Sequence, residues 1–248
     1  MSDDLVVLSK LAPYDPNTLA PIRVFVTGQS GTGKTTVAWQ RYLSRHTHRI
    51  IWDVTGEWTY GWGPSKTLPD GVASSGAELL DVMEQCGELD AWTISIEADG
   101  SQDQFSDVIA ALCPADLQKS PIARMGGAIM LLDECDTIAA SGPAPRPVRT
   151  LFRRSRHLGL SLVSATQRPP AVSREVTAQS SHCLAFHLME PRDRDYLADF
   201  LRLLPAQSQK WAEWTLRHRH GYLYWEQQAD LRVLIAGDSA TPQSPPNQ

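Results

Sequence analysis

Short apolar and β-branched runs recur along the chain: IRVFVT (22–27), RIIWDV (49–54), WTISIE (92–97), AIMLLD (128–133), LSLVSAT (160–166) and CLAFHL (183–188). Each reads as a strand candidate, because it is a short run of β-branched or apolar residues. The stretches 34–45, 76–86, 103–112 and 147–157 instead carry helical patterns. Such alternation predicts an α/β fold, a mainly parallel sheet flanked by helices. GYLYWE (221–226) and ADLRVLIA (229–236) read as a C-terminal β-hairpin closing the sheet. Ahead of residue 22, Pro13, Pro16 and Pro21 interrupt any pattern, so 1–21 is expected to be an arm. One ordered domain is expected over 22–237, followed by a disordered tail, 238–248, that ends TPQSPPNQ. No internal repeat is visible.

Composition narrows the function classes. The chain has 248 residues, 42% hydrophobic and 21% charged, enough for one packed α/β domain. With 23 Lys+Arg against 28 Asp+Glu the net charge is −5, which excludes a protein that coats nucleic acid through general basicity. Any grip on DNA must be local. The acidic start Met-Ser-Asp-Asp lacks the features of a secretory signal, and no apolar run is long enough to span a bilayer, so a cytoplasmic protein not integral to a membrane is expected. Cys86, Cys113, Cys135 and Cys183 lie far apart without C-x-x-C spacing and read as buried thiols.

The sharpest chemical signal is GQSGTGKTT, which follows a strand and opens a helix: Gly28, Gln29, Ser30, Gly31, Thr32, Gly33, Lys34, Thr35 and Thr36. It satisfies G-x-x-x-x-G-K-[ST], the Walker A phosphate loop. The glycines let backbone N–H groups turn toward phosphate oxygens, and the helix N-terminus adds a positive dipole end. Lys34 reaches the β- and γ-phosphates, while the Thr35 hydroxyl binds Mg²⁺. Downstream, AIMLLDE has the Walker B form, an apolar strand delivering Asp133 and Glu134. Asp133 is expected to hold Mg²⁺ through water and Glu134 to orient or deprotonate the attacking water. ATP and Mg²⁺ are thus the expected cofactors. A signalling GTPase is disfavoured, since the only asparagines, Asn17 and Asn247, lie in the flanks and cannot supply Asn-Lys-x-Asp. A small-molecule kinase has no use for a hydrolytic Glu.

Two further segments, with these, give the chain a resemblance to the FtsK–HerA superfamily of hexameric DNA-pumping ATPases, over roughly 22–236. IIWDVTGEW is similar to the family's strand followed by D-x-x-G-E-[aromatic], with Asp53, Gly56 and Glu57 in the matching places. RHLGLSLVSATQRP resembles its R-x-x-G-[apolar]-T-Q-R-P segment. The resemblance implies a RecA-like P-loop NTPase core that assembles with itself into a ring, a hexamer, and moves double-stranded DNA. Compact size resembles the genome-packaging ATPases of tailless DNA viruses with an internal membrane. That implies work in the host cytoplasm, virion association at a packaging vertex, and a capsid vertex or viral membrane protein as docking partner. A cellular HerA-like repair or conjugation translocase is the same-fold alternative; an extrusion motor that never contacts DNA is the rival from another class.

Gln167 ends a strand expected beside the Walker B strand, and its amide suits a γ-phosphate sensor or a hold on the lytic water. Asp53 and Glu57 serve the edge of the site or the neighbouring subunit, or else Asp53 caps a turn before Gly56 while Glu57 faces solvent. Between Pro145 and Gly159 stand Arg146, Arg149, Arg153, Arg154 and Arg156 with no acidic residue among them. On a helix, 149, 153 and 156 fall within about 60° of one another, apart from Val148, Leu151, Phe152 and Leu158. The resemblance favours Arg156, then Arg153, as an arginine given to a neighbour's γ-phosphate; a solvated basic face and DNA-backbone contact are the other readings. The rings of Trp52, Trp58, Tyr60 and Trp62 read as core under a loop, or as a platform for adenine or a subunit. His46/His48 and His218/His220 lack the carboxylates of a metal site and read as satisfied or exposed. Loops 98–104 and 139–147 are the candidate central loops.

Overall fold

The structure, a computed structural model, describes residues 5–9, 11–16, 20–61 and 63–236. The strands are β1 (Val6–Leu8), β2 (Arg23–Thr27), β3 (His48–Asp53), β4 (Gly71–Ala73), β5 (Trp92–Glu97), β6 (Ala128–Leu132), β7 (Leu160–Thr166), β8 (His182–Ala185), β9 (Tyr222–Glu226) and β10 (Leu231–Ile235). The helices are α1 (Lys34–Arg41), α2 (Gly76–Gln85), α3 (Gln102–Leu112), α4 (Pro121–Arg124), α5 (Arg146–Arg154), α6 (Arg174–Ala178), α7 (Pro191–Phe200) and α8 (Pro205–Arg217). All ten strands join one sheet in the order β1-β10-β9-β8-β2-β7-β6-β3-β5-β4. Neighbours run parallel except in the pairs β8–β9 and β9–β10. The expected architecture, a mainly parallel sheet flanked by helices with a C-terminal hairpin, is therefore the observed one.

Alternation along the central strands divides the core into two layers. In β6, Ala128, Met130 and Leu132 pack with Phe105, Leu151 and Phe152, whereas Ile129 and Leu131 pack with Ala38 and Tyr42 on the other face. Ser75 caps α2 and Ser101 caps α3, each accepting from the backbone N–H three residues on, which fixes where these helices begin. The four cysteines are buried free thiols.

The segment before Ile22, expected as an arm, is tied to the domain where it is described. β1 pairs in parallel with β10, Leu5 is buried, and the Tyr14 ring packs on Tyr42 and His46. A three-residue strand whose Val6 and Val7 stay exposed carries no alternation to read, which is why the pattern missed it. The tail 238–248 lies outside the described residues, as do Asn17 and Trp62.

Arg23, at the start of β2, is buried, and no carboxylate pairs with it among the described residues. Its guanidinium donates to the Phe152 carbonyl at the end of α5 and, at 3.3 Å, to Ser155 Oγ. A cation suits carbonyls left open at a helix C-terminus. Burial, and then the charge of Arg156, bring this guanidinium down to about 10. Arg23→Ala should lower stability by roughly 2–3 kcal/mol, the scale of lost hydrogen bonds from a charged donor. The check is the urea midpoint of unfolding; an unchanged midpoint would show that Arg23 does not hold the end of α5.

Candidate phosphate-binding site

In open α/β sheets, ligands sit beyond the carboxyl ends of the strands. Here five of those ends bring the candidate residues together. β2 runs into the loop Gly28–Gly33, after which Lys34, Thr35 and Thr36 open α1. A Cβ on Gly28 would lie 2.5 Å from Phe186 Cβ, so a side chain there would force the loop off the sheet. Gly33 caps α1 with φ +93°, a left-handed conformation that glycine adopts without strain. Gly28 N–H donates to Thr166 O, Gln29 N–H to His187 O, and the Thr32 hydroxyl to Gln29 O at 2.8 Å. The loop is thus fastened to β7 on one side and to the end of β8 on the other.

Lys34 is buried, and its Nζ donates to Gln29 O at 2.9 Å. Burial pulls its ammonium below the ordinary lysine range, while Glu134, Asp133 and Glu57 oppose that shift. Asp133, directly after β6, is held up at about 7 by burial and then by Glu134, Asp53 and Glu57. A buried carboxyl among other acids ionises fully only when positive charge joins it. This donor set fits Mg²⁺, which takes one or two protein oxygens and completes its shell with water and phosphate. Among the described residues no group of three or more His, Cys, Asp and Glu side chains forms a metal cage.

Glu134 has φ +45°, a left-handed conformation unfavourable for a residue with a side chain. Such strain persists where surrounding contacts over-determine it, and it concentrates at functional sites. The contacts are visible: Gln167 Nε2 donates to Glu134 Oε1 at 2.6 Å, and Glu134 O accepts from both the N–H and the hydroxyl of Thr137. Thr166 donates to Asp136 Oδ1 at 2.8 Å, tying the end of β7 to the turn after β6. Asp136 was not singled out from the sequence, which gives no spacing signal for it.

Asp53 takes the turn role. Its Oδ2 accepts from Trp58 N–H, Thr59 N–H and the Thr59 hydroxyl at 3.1, 2.8 and 2.8 Å, so it anchors the turn around Gly56. Glu57 is exposed, within electrostatic reach of Lys34 and Asp133. Trp52 and Trp58 are core, the latter against Trp39; Tyr60 is exposed and donates to Glu97.

The arginines lie elsewhere. The turn Ser155–Leu158 precedes β7, so Arg156 stands at the amino end of a strand whose carboxyl end carries Gln167. Seven residues of strand, roughly 20 Å, separate it from its own phosphate loop. Arg149, Arg153 and Arg156 are exposed while Val148, Leu151, Phe152 and Leu158 are buried. Arg153 meets Glu175 at 3.7 Å, a partner from α6 that the local sequence did not reveal. Arg154 turns inward and donates to the carbonyls of Cys113 and Pro114. Loop 98–104 borders a shallow recess lined by Glu97, Asp99, Asp103 and Asp107.

A Walker loop beyond β2, an acidic strand end beyond β6, and a strand inserted between them define the fold of a P-loop NTPase. Solved structures share it. The genome packaging NTPase B204 of Sulfolobus turreted icosahedral virus 2, in complex with ATP-gammaS, matches 90% of this chain and 98% of its own at 15% identity, TM-score 0.63. B204 described as the DNA-packaging ATPase of Sulfolobus turreted icosahedral virus matches 88% and 98% at 13% identity, TM-score 0.62. VirB4 of Thermoanaerobacter pseudethanolicus matches 97% and 98% at 12% identity, TM-score 0.58. No protein-family model and no curated protein matches the sequence. The fold likeness fits the FtsK–HerA resemblance carried by the motifs.

Lys34 and Glu134 should separate binding from chemistry. Lys34→Ala removes the buried cation of the loop and should weaken nucleotide binding roughly tenfold or more. Glu134→Gln should bind ATP as the parent does and hydrolyse it roughly 10²-fold more slowly or worse. Fluorescent-nucleotide titration and steady-state phosphate release measure the two effects. Parental turnover in Glu134→Gln would remove Glu134 from its role.

Proposed function

We propose that this chain is an ATPase motor of the FtsK–HerA type that assembles with itself into a ring, a hexamer, and drives double-stranded DNA, packaging a viral genome into a preformed capsid. The observation that carries the reading is the 2.6 Å contact of Gln167 with Glu134 beside the phosphate loop. A carboxylate that can accept a proton and an amide that can hold water or sense a phosphate then stand together at one strand end.

In this reading the loop 28–36 grips the ATP phosphates and Lys34 reaches the β- and γ-oxygens. Mg²⁺, held by Thr35 and through water by Asp133, would supply charge neutralisation at the phosphates. Glu134 aligns and deprotonates the lytic water, and Gln167 fixes the Glu134 carboxylate. Arg156, with Arg153 second, serves the neighbouring subunit, because its own phosphate loop is a strand length away. Such an arginine is worth roughly 10³–10⁵ in kcat. A capsid vertex or viral membrane protein would dock the ring, from the host cytoplasm or within the virion. Among the described residues no helix is long and apolar enough to cross a membrane.

A second reading, a motor that extrudes protein or filament without touching DNA, is favoured by the acids around loop 98–104. Glu97, Asp99, Asp103 and Asp107 repel phosphate. In the first reading DNA contact therefore falls to loop 139–147, which contains the exposed Arg146.

Trans action is tested by mixing. Arg156→Ala should spare ATP affinity in isolated subunits and abolish most turnover in the ring. Mixed with Glu134→Gln, it should regain activity at interfaces that join an intact Glu134 to an intact arginine. Native mass spectrometry confirms the mixed rings; no rescue at any ratio rules out a finger in trans.

The substrate is tested by turnover with DNA. Random duplex should accelerate ATP hydrolysis regardless of sequence, and apparent affinity should fall with salt at a slope of roughly −0.9 per phosphate contacted. An oligomer that hydrolyses ATP yet ignores every duplex at low salt selects the extrusion motor.

A further inference from the structure

Of the histidines at 218 and 220, His220 bears directly on the phosphate loop. The connection from α8 to β9 lies against that loop, and His220 Nδ1 is 3.2 Å from Thr32 O. A Cβ on Gly33 would lie 2.9 Å from the same nitrogen, so the imidazole sits over the Thr32–Gly33 peptide. A carbonyl only accepts, which puts the imidazole proton on Nδ1. In a planar trans peptide the carbonyl and the following N–H point in opposite directions. Holding Thr32 O against His220 therefore aims Gly33 N–H away from the imidazole.

Gly33 needs such a hold. At φ +93° it lacks the side chain that would otherwise restrict its backbone, so its peptide is free to turn unless something outside the loop fixes it. The connection that carries His220 is held at its start. The His218 ring stacks on Trp214 with centroids 3.7 Å apart, and His218 Nδ1 donates to Trp214 O at 2.9 Å. Trp214 Nε1 donates to Ile235 O in β10 at 3.2 Å. At Gly221 a Cβ would lie 2.8 Å from that of His218, so the chain reverses there only with glycine.

We infer that His220 is a positioning residue of the phosphate loop, presetting the Gly33 N–H for the β-phosphate of a nucleoside di- or triphosphate. This rests on the reading of the loop as a nucleotide site, and it extends that site to the C-terminal hairpin. Occupancy of the loop is then mechanically joined, through α8 and β10, to the β1 strand paired with that hairpin.

The test compares His220→Ala with His220→Asn in the full chain, measuring binding of ADP and AMP with Mg²⁺ by calorimetry and thermal midpoints in parallel. Asparagine places an amide N–H near the position of Nδ1. His220→Ala should lose roughly tenfold in ADP affinity, the scale of one hydrogen bond, and far less in AMP affinity, since AMP has no β-phosphate. His220→Asn should recover ADP binding to within about threefold of the parent. A general loosening of the fold would weaken both nucleotides together, and that result overturns the inference. So does parental ADP binding in His220→Ala, or an Asn variant as weak as Ala at a parental thermal midpoint. If His220→Ala does not fold, Asn against Gln gives the same comparison: Gln, one methylene longer, should lose ADP selectivity, and equal selectivity in both counts against the inference. Failure of the parent to bind any nucleotide instead sinks the nucleotide site itself.

Discussion

Everything in the site depends on the double pairing of β7. It hydrogen-bonds to β2 on one side and β6 on the other, with Thr27 opposite Thr166 and Leu132 opposite Ser164. That register carries β7 two residues past the end of β6, level with Glu134, and one residue more brings Gln167 within reach of the carboxylate. A slip of one residue would invert every side chain on the strand, burying Gln167 or turning it away. The strands lie wholly inside the domain, since every residue of β2, β6 and β7 is buried.

The same strand sets the electrostatics. At its carboxyl end Lys34, Asp133, Glu134 and Glu57 form a small mixed-charge cluster, partly desolvated. At its amino end Arg153 and Arg156 stand near the buried Arg23, with Glu175 paired to Arg153. Like charge from Arg23 favours an Arg156 side chain extended into solvent over one folded back. The net charge of −5 hides this polarity, because opposite signs sit at opposite ends of one sheet.

The strands and the Walker motifs were legible because burial on both faces leaves unbroken apolar runs, and phosphate binding leaves a glycine pattern. Strand order was half legible: the motif after 160–166 suggested a neighbour of the Walker B strand, but nothing local revealed that the strand also pairs with β2. α7 and α8 begin with Pro191 and Pro205 and bury few residues each, Asp193 and Leu197 in one, Trp211 and Thr215 in the other, so they lack a broad apolar stripe. The ion pair of Arg153 with Glu175, and Arg23 beneath α5, are contacts across the fold and leave no trace in spacing. His220 drew notice as half of an i, i+2 pair, yet its partner is a backbone carbonyl, which any sequence supplies everywhere. Asp53 was open between site and turn, and only the donors of Trp58 and Thr59 decide for the turn.

Parallel strands impose direction on the whole subunit. All the carboxyl ends from β5 to β8 face one way, so the phosphate loop and the exposed arginines occupy unlike surfaces at opposite ends. A head-to-tail contact between such subunits joins one end to the other and leaves a free arginine on the first subunit and an unserved site on the last. Only closure into a ring fills both, because a heterologous interface that does not close continues as a filament. In the proposed motor, the polarity of β7 thus makes each site depend on a neighbour. Arg23 adds a second link: it begins the strand that ends in the phosphate loop, and it grips the helix that carries the arginines. One short strand therefore spans the distance between a subunit's own nucleotide and the surface it offers to the next.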